Sequence, residues 1–428
     1  MIWLTVLILL GLLALSLPVA AVLGVLGLVL AELYAFLPLR LALGELTWGV
    51  TTDVILVAIP MYILLGEILL RSGIAERMYG AMAHWLSWLP GGLMHSNIGA
   101  CTMFSAVSGS SVATAATIGT VAVAQIERQG YNPRFFLGTI AAGGTLGILI
   151  PPSINMIIYG VLTETSIPQL YLAGFLPGLV LALLFMLTVL IGCLIRPEWG
   201  GRRATADWAA RWRSLPDLLP PLLIFALVIG SIYAGFATPT EAAALGVIAA
   251  LALAAWRRRL TLAMLRHAIE GTMRTSAMIM AILIGAYFLN FVLTSIGLTG
   301  QVNAMVTGLG LAPMETLLAV VVFYVILGMF METLTMMVAT VPIITPAIVA
   351  LGFDPVWFGV LIMLLVETAM ITPPVGINLF VVQGVRGRGQ LHDVMLGAAP
   401  FVVALLVMVG LLIVFPQIAL LLPEALAR

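Results

Sequence analysis

Two proline pairs carry the first chemical signal in this 428-residue chain. One lies in Gly143-Gly144-Thr145-Leu146-Gly147-Ile148-Leu149-Ile150-Pro151-Pro152-Ser153-Ile154-Asn155, the other in Ala369-Met370-Ile371-Thr372-Pro373-Pro374-Val375-Gly376-Ile377-Asn378. Proline lacks an N–H donor and its ring clashes with the preceding turn, so a helix unwinds just before each pair. Carbonyls released at Gly147 and Ile150 can coordinate a hard cation through oxygen. The half-helix that begins at Ser153 offers N–H groups and a positive dipole end to an anion. Two short stretches supply complementary groups: Ser108-Gly109-Ser110-Ser111, with hydroxyls and close backbone approach, and Gly328-Met329-Phe330-Met331-Glu332-Thr333. The economical expectation is one cation site at each break. Candidate substrate contacts are Ser111, Ser153 and Asn155 around the first break and Thr333, Gly376 and Asn378 around the second. Proline kinks also occur for packing alone, but symmetric placement opposite polar stretches disfavours that reading. Glu67, Glu332 and Glu367 stand in apolar surroundings, where a carboxylate is a candidate ion ligand or proton carrier. For Glu67 an ordinary pairing with Arg71, one helical turn on, is an equal alternative.

The elements that must position these residues are membrane helices. Hydrophobic residues make up 62% of the chain and charged residues 8%, with 18 basic and 18 acidic side chains. Soluble domains carry roughly 25% charged residues, which excludes a soluble globular protein, and so little charge also excludes a disordered chain or a nucleic-acid binder. Cys101 and Cys193 lie in apolar stretches with no disulfide or metal spacing. The first apolar run lacks the basic flank of a signal peptide and a second run follows directly from Pro18, so both are expected to stay as spans.

A crossing helix needs about 20 mostly apolar residues. That length places spans near 2–17, 18–36, 50–70, 134–162, 168–195, 216–236, 241–256, 275–296, 354–384 and 392–422. Stretches 91–127 and 313–350 are apolar but polar at their midpoints, so re-entrant hairpins are expected there. Arginine placement supports the layout, since short cytoplasmic loops collect basic residues. With the N-terminus outside, Arg71, Arg77, Arg128, Arg134, Arg196, Arg202, Arg203, Arg211, Arg213, Arg257, Arg258, Arg259, Arg266, Arg274, Arg386 and Arg388 fall inside; Arg40 and Arg428 fall outside. Both termini are then periplasmic. Ile74–Leu86 and Arg257–Arg274 are amphipathic and are expected to lie along the cytoplasmic interface.

A shift of 222 residues places Gly130 on Gly352, Pro133 on Pro355, Phe136 on Phe358 and Pro151-Pro152 on Pro373-Pro374. Each unit, 1–206 and 207–428, then holds five crossings, one of them broken, and one hairpin. An odd number of crossings inverts the second unit. Inverted repeats with broken helices near the midplane characterise secondary transporters. Enzymatic readings fare poorly: Ser108-Gly109 has the order found in intramembrane serine proteases, but His84 and His95 sit elsewhere and no dyad is evident. No phosphate-binding loop is present either.

Ser108-Gly109-Ser110-Ser111-Val112-Ala113-Thr114, the Gly143–Ser153 stretch, Thr238-Pro239-Thr240-Glu241-Ala242-Ala243 and Thr372–Asn378 resemble the large membrane subunit of tripartite ATP-independent periplasmic (TRAP) transporters. The resemblance covers essentially the whole chain. It implies an ion-transporter fold of the elevator type, in the bacterial inner membrane, with hairpins and broken helices moving against a scaffold. It also implies Na+-driven uptake of an organic acid, a small four-helix membrane subunit as a separate polypeptide, and a periplasmic substrate-binding protein. By motif match the first Na+ site falls on Ser108, Ser110, Gly147, Ile150 and Pro152, and the second on Gly328, Ala369, Thr372 and Val375. Ala369 stands where a glycine is expected, which puts the approach of the opposing backbone in question. The alternative is a stand-alone Na+- or H+-coupled anion symporter of the same fold. Dicarboxylates, sugar acids, sialic acid and keto acids all stay open as substrates.

Overall fold

The computed structural model describes all residues except 16, 203–207, 302–303, 305–309 and 427–428. Arg203, Arg428 and the boundary between 206 and 207 lie outside the described residues. The described chain is helical, with one isolated bridge between Tyr131 and Gly200 and no strand. It is a multi-pass membrane protein.

Local sequence sets the central elements. Asn132 caps helix Pro133–Leu149 by accepting the Phe135 N–H at 3.1 Å, with proline at the first helical position. Asp354 does the same for Pro355–Ile371, accepting from Val356 at 2.8 Å and Trp357 at 2.9 Å. An oxygen at the N-cap and a proline just inside it are strong helix starts. Both helices run 17 residues and both end where the proline pair withdraws N–H donors. The peptides Pro151–Pro152 and Pro373–Pro374 are cis. Helices of 10 residues, Ile154–Thr163 and Ile377–Arg386, follow the breaks.

Stretch 91–127 folds as Leu93–Ser108 and Ser111–Ala122, joined at Gly109 with φ +60°, and 313–350 as Pro313–Gly328 and Thr333–Ala350. Ile74–Leu86 is a separate helix, started by Gly73 at φ +75°. The stretch Arg257–Arg274 departs from expectation, because Leu262–Ser295 is one continuous 34-residue helix. Nothing within it stops a helix: it holds no proline, and Gly271 and Gly285 serve close packing instead. The span expected at 50–70 is interrupted, with a 60° bend between Leu39–Thr51 and Ile55–Arg71. At the bend the Asp53 carboxylate accepts the Ile55 N–H at 2.8 Å.

By length and apolarity alone, six described helices could cross a membrane, or eight if each bent pair is one span, against ten crossings expected from sequence. Several elements are shorter than a crossing requires: Ile2–Ala14 has 13 residues, about 20 Å against a core of about 30 Å.

The two broken helices form the buried centre, with Leu391–Val414 and Ile167–Ile195 packed around them. Pro133–Leu149 crosses Leu391–Val414 with backbones in contact. A Cβ on Gly138 would lie 2.0 Å from the Gly397 carbonyl oxygen, and one on Gly397 would lie 1.8 Å from that of Arg134. Small residues permit such approach between membrane helices. Gly397→Ala must therefore spread the pair, an overpacking cost of about 1–3 kcal/mol. The purified chain should lose at least about 2 °C of melting temperature, whereas Gly410→Ala, with open space around it, should leave the midpoint unchanged.

Candidate functional site

The two hairpin tips meet the two breaks. At the first junction a Cβ on Gly147 would lie 2.8–2.9 Å from backbone atoms of Ser110 and Ser111, and one on Gly109 would lie 2.5 Å from the Pro152 carbonyl oxygen. A Cβ on Gly66, in Ala58–Arg71, would sit 3.2 Å from the Ser108 carbonyl oxygen. At the second junction the Val375 N–H donates to the Met329 carbonyl at 3.3 Å. Ala369 does not push the backbones apart here: its methyl occupies the room that Gly328 leaves open, 2.5 Å from where a Cβ on Gly328 would stand.

Between the junctions lies a cavity of about 420 Å³. Four helix starts reach its wall: Ser110-Ser111, Ile154-Asn155, Glu332-Thr333 and Ile377. Ser110 and Glu332 cap their own helices, the Glu332 carboxylate accepting the Thr335 N–H at 3.1 Å and the Thr335 hydroxyl at 3.2 Å. Ser153 and Gly376, by contrast, make no side-chain cap, so the two half-helices after the breaks keep their first N–H groups unclaimed by a cap. Among the described residues no Arg or His lines the cavity. Its polarity comes from hydroxyls, the Asn155 amide, helix ends and two carboxylates, Glu67 and Glu332.

Of the substrate contacts expected from sequence, Ser111, Asn155 and Thr333 line the wall. Ser153, Gly376 and Asn378 are buried off it. Asn378 acts as a tie, its amide donating to the Ser111 hydroxyl at 3.0 Å and the Ala141 carbonyl at 3.2 Å. The Ile150 side chain fills the space above Gly178. The Thr372 hydroxyl donates to the Thr368 carbonyl inside its own helix. Glu367 is fully buried and away from the cavity.

Proline fixes which carbonyls are free. Gly147 and Ile148 would normally accept from residues 151 and 152, and Ala369 and Met370 from 373 and 374, all four of them prolines. Ala369 accepts only a long 3.4 Å bond from Thr372. An oxygen-lined cation therefore suits both junctions.

Sequence reasoning missed the rest of the wall, built by Ile63, Gly66 and Leu70 of Ala58–Arg71 and by Thr275, Met278 and Ile279 of the long helix. Glu67 was the one available signal, since it marks Ala58–Arg71 as polar at the depth of the cavity.

A cavity enclosed by helix starts and broken helices, in an all-helical apolar chain, defines a membrane transporter permease. The protease reading has no support, since the Ser108 hydroxyl pairs with that of Thr114 at 3.0 Å and His95 Nε2 with the Pro90 carbonyl at 2.8 Å. The family model for the DctM component of tripartite ATP-independent periplasmic transporters matches residues 6–418. The chain belongs to this family. It is 35% identical to the C4-dicarboxylate TRAP transporter large permease protein DctM of Pseudomonas aeruginosa over 371 residues, 86% of each chain. It is 33% identical to both the ectoine permease TeaC of Halomonas elongata and the sialic acid permease SiaM of Vibrio cholerae, over 370 residues and 86% of each chain. The crystal structure of the Alcanivorax borkumensis YdaH transporter shares the fold with a TM-score of 0.67 and 17% identity, covering 93% of this chain and 97% of that one. The protein is a transporter permease subunit and not an enzyme.

Gly147→Val should drive the first hairpin tip from its break. Uptake into vesicles should drop at least about tenfold with membrane insertion unchanged, whereas Gly230→Ala, at a helical position with open space around it, should retain at least half the activity.

Proposed function

We propose that this chain imports an organic acid across the bacterial inner membrane, driven by Na+ and operating as an elevator. The observation that carries this reading is the convergence of four helix starts on a cavity without a basic side chain. Each helix start holds about half a positive charge and favours an anion by about 0.3–2 kcal/mol. A carboxylate is thus bound by backbone dipoles and hydroxyls, with Ser111, Asn155 and Thr333 at hand and Asn378 holding Ser111 in place. Relatives named for C4-dicarboxylate, sialic acid and ectoine transport support an organic acid as cargo.

Na+ is the co-transported ion. Ser108, Ser110, Gly147, Ile150 and Pro152 would hold one ion and Gly328, Ala369, Thr372 and Val375 a second. Each site lies beside two of the helix starts, so bound Na+ adds the positive charge that the cavity wall lacks, and substrate and ion binding reinforce each other. The units 1–206 and 207–428 form two inverted repeats with five crossings each. The 17-residue helices, their Asn132 and Asp354 caps and their proline breaks match at a 222-residue offset, and a 10-residue helix follows each break, which supports this arrangement. The hairpins and broken helices move as one body against Ala58–Arg71 and Leu262–Ser295. A small four-helix membrane subunit widens that scaffold, and a periplasmic binding protein delivers the substrate. The termini face the periplasm.

Reconstitution tests these assignments together. Vesicles holding the chain and its small subunit should accumulate labelled substrate only with an inward Na+ gradient and the cognate binding protein outside. Replacing Na+ by K+ should reduce uptake to background. Equal uptake without the binding protein would favour the stand-alone symporter instead.

A further inference from the structure

Beside the cavity lies a second pocket of opposite character, about 490 Å³ in volume, lined by Arg71, Arg258, Arg259, Thr261, Met264 and His267. Neither Arg258 nor Arg259 has an acidic partner among the described residues, and both are exposed. Met264 supplies its one apolar side chain, so no groove for an acyl chain accompanies the charge. The wall between the two pockets is the ion pair of Glu67 and Arg71. Glu67 lines the cavity and Arg71 lines the cationic pocket. The side chains are 22% and 29% exposed, so the pair is not sealed from solvent. Arg71 also donates to the Glu67 carbonyl at 3.2 Å.

The long helix connects the same two places. Met264, His267, Gly271, Thr275 and Met278 follow one another at helical spacing and share one face. Met264 and His267 belong to the cationic pocket, Thr275 and Met278 to the cavity. Between them a Cβ on Gly271 would lie 2.9 Å from the Glu67 carboxylate, so the absent side chain makes the seat for it. From His267 to Thr275 the rise is about 12 Å.

We propose that Glu67 and Arg71 form a gate between the substrate cavity and a cationic exit pocket of Arg71, Arg258, Arg259 and His267, which receives the carboxylate as it leaves. This rests on the reading of the cargo as an organic acid. The cavity wall offers its anion helix starts, hydroxyls and an amide but no basic side chain, and a carboxylate passing from it into the second pocket meets the guanidinium of Arg71. It can replace Glu67 there, because guanidinium accepts either carboxylate in the same geometry. Glu67 then re-forms the pair and displaces the departing anion, so the exit pocket binds weakly and does not retain cargo.

Arginine modification reads this without any gradient. The purified full chain in lipid nanodiscs is treated with phenylglyoxal, and labelling is measured by peptide mass spectrometry in succinate or in chloride of equal ionic strength. Succinate should protect Arg71, Arg258 and Arg259 and leave the exposed Arg128 unaffected. Glu67→Gln removes the competitor and should lower the half-protecting succinate concentration by about tenfold. Arg258→Gln with Arg259→Gln, both on the surface, should abolish protection of Arg71 with the melting temperature unchanged. Equal labelling in succinate and chloride, or protection unmoved by Glu67→Gln, overturns the gate. Na+-dependent uptake that persists alongside either outcome leaves the transport reading standing and removes only the exit pocket. Protection by inorganic phosphate but not succinate would assign the pocket to phosphate and equally overturn it.

Discussion

A backbone interrupted inside a membrane must find partners for the groups it frees, since lipid offers none. This chain interrupts four places at once, two hairpin tips and two proline breaks, and sets them against one another. Each tip covers one break, through Gly109 and Gly147 at the first junction and through Gly328 and the Val375–Met329 hydrogen bond at the second. Every other part of the central architecture serves that arrangement. Glycine serves several of these close backbone approaches, and the Gly138–Gly397 crossing extends the same close packing behind the first broken helix.

The convergence also decides the electrostatics. Four helix starts facing one cavity would repel each other if left empty, and two of them are already moderated by caps. Glu332 is one of these, its carboxylate accepting the Thr335 N–H at the start of Thr333–Ala350. The remaining positive potential belongs to backbone and moves with it, unlike that of an arginine whose long side chain could follow the anion outward. A site without basic side chains therefore binds an anion only while the four starts stay together, which suits a compartment that must also release it.

Much of this was legible in the chain. Proline pairs, Asn132-Pro133 and Asp354-Pro355 are local signals with local consequences, and both broken helices begin and end where they predict. Tip positions followed from polarity inside apolar runs. Three things were not legible. The division between Asn155 at the cavity wall and Asn378 in a buried tie depends on packing between distant segments, and both stand in the same Ile-Asn pair shortly after a proline pair. The continuity of Leu262–Ser295 was hidden because its charged first turns look interfacial by composition, while helix formation asks only that no breaker intervene. The fit of Ala369 depends on its partner: one methyl is tolerated because Gly328 supplies none.

Charge placement links these levels. The chain uses few charged residues, and the buried centre is nearly free of them, with Glu367 the exception among its fully enclosed side chains. Ion pairs instead gather where elements emerge: Arg134 and Arg386 share Asp393 at the start of Leu391–Val414, and Arg77 and Arg257 share Asp217. Exposed pairs of this kind contribute little stability, about 0–1 kcal/mol, so stability alone gives weak grounds for keeping them. Their position argues for orientation, because basic clusters at helix ends fix which side each loop occupies. Glu67–Arg71 is the pair that reaches inward to the cavity. It is also the one placed where an anion bound by backbone dipoles would first meet a side chain able to exchange partners.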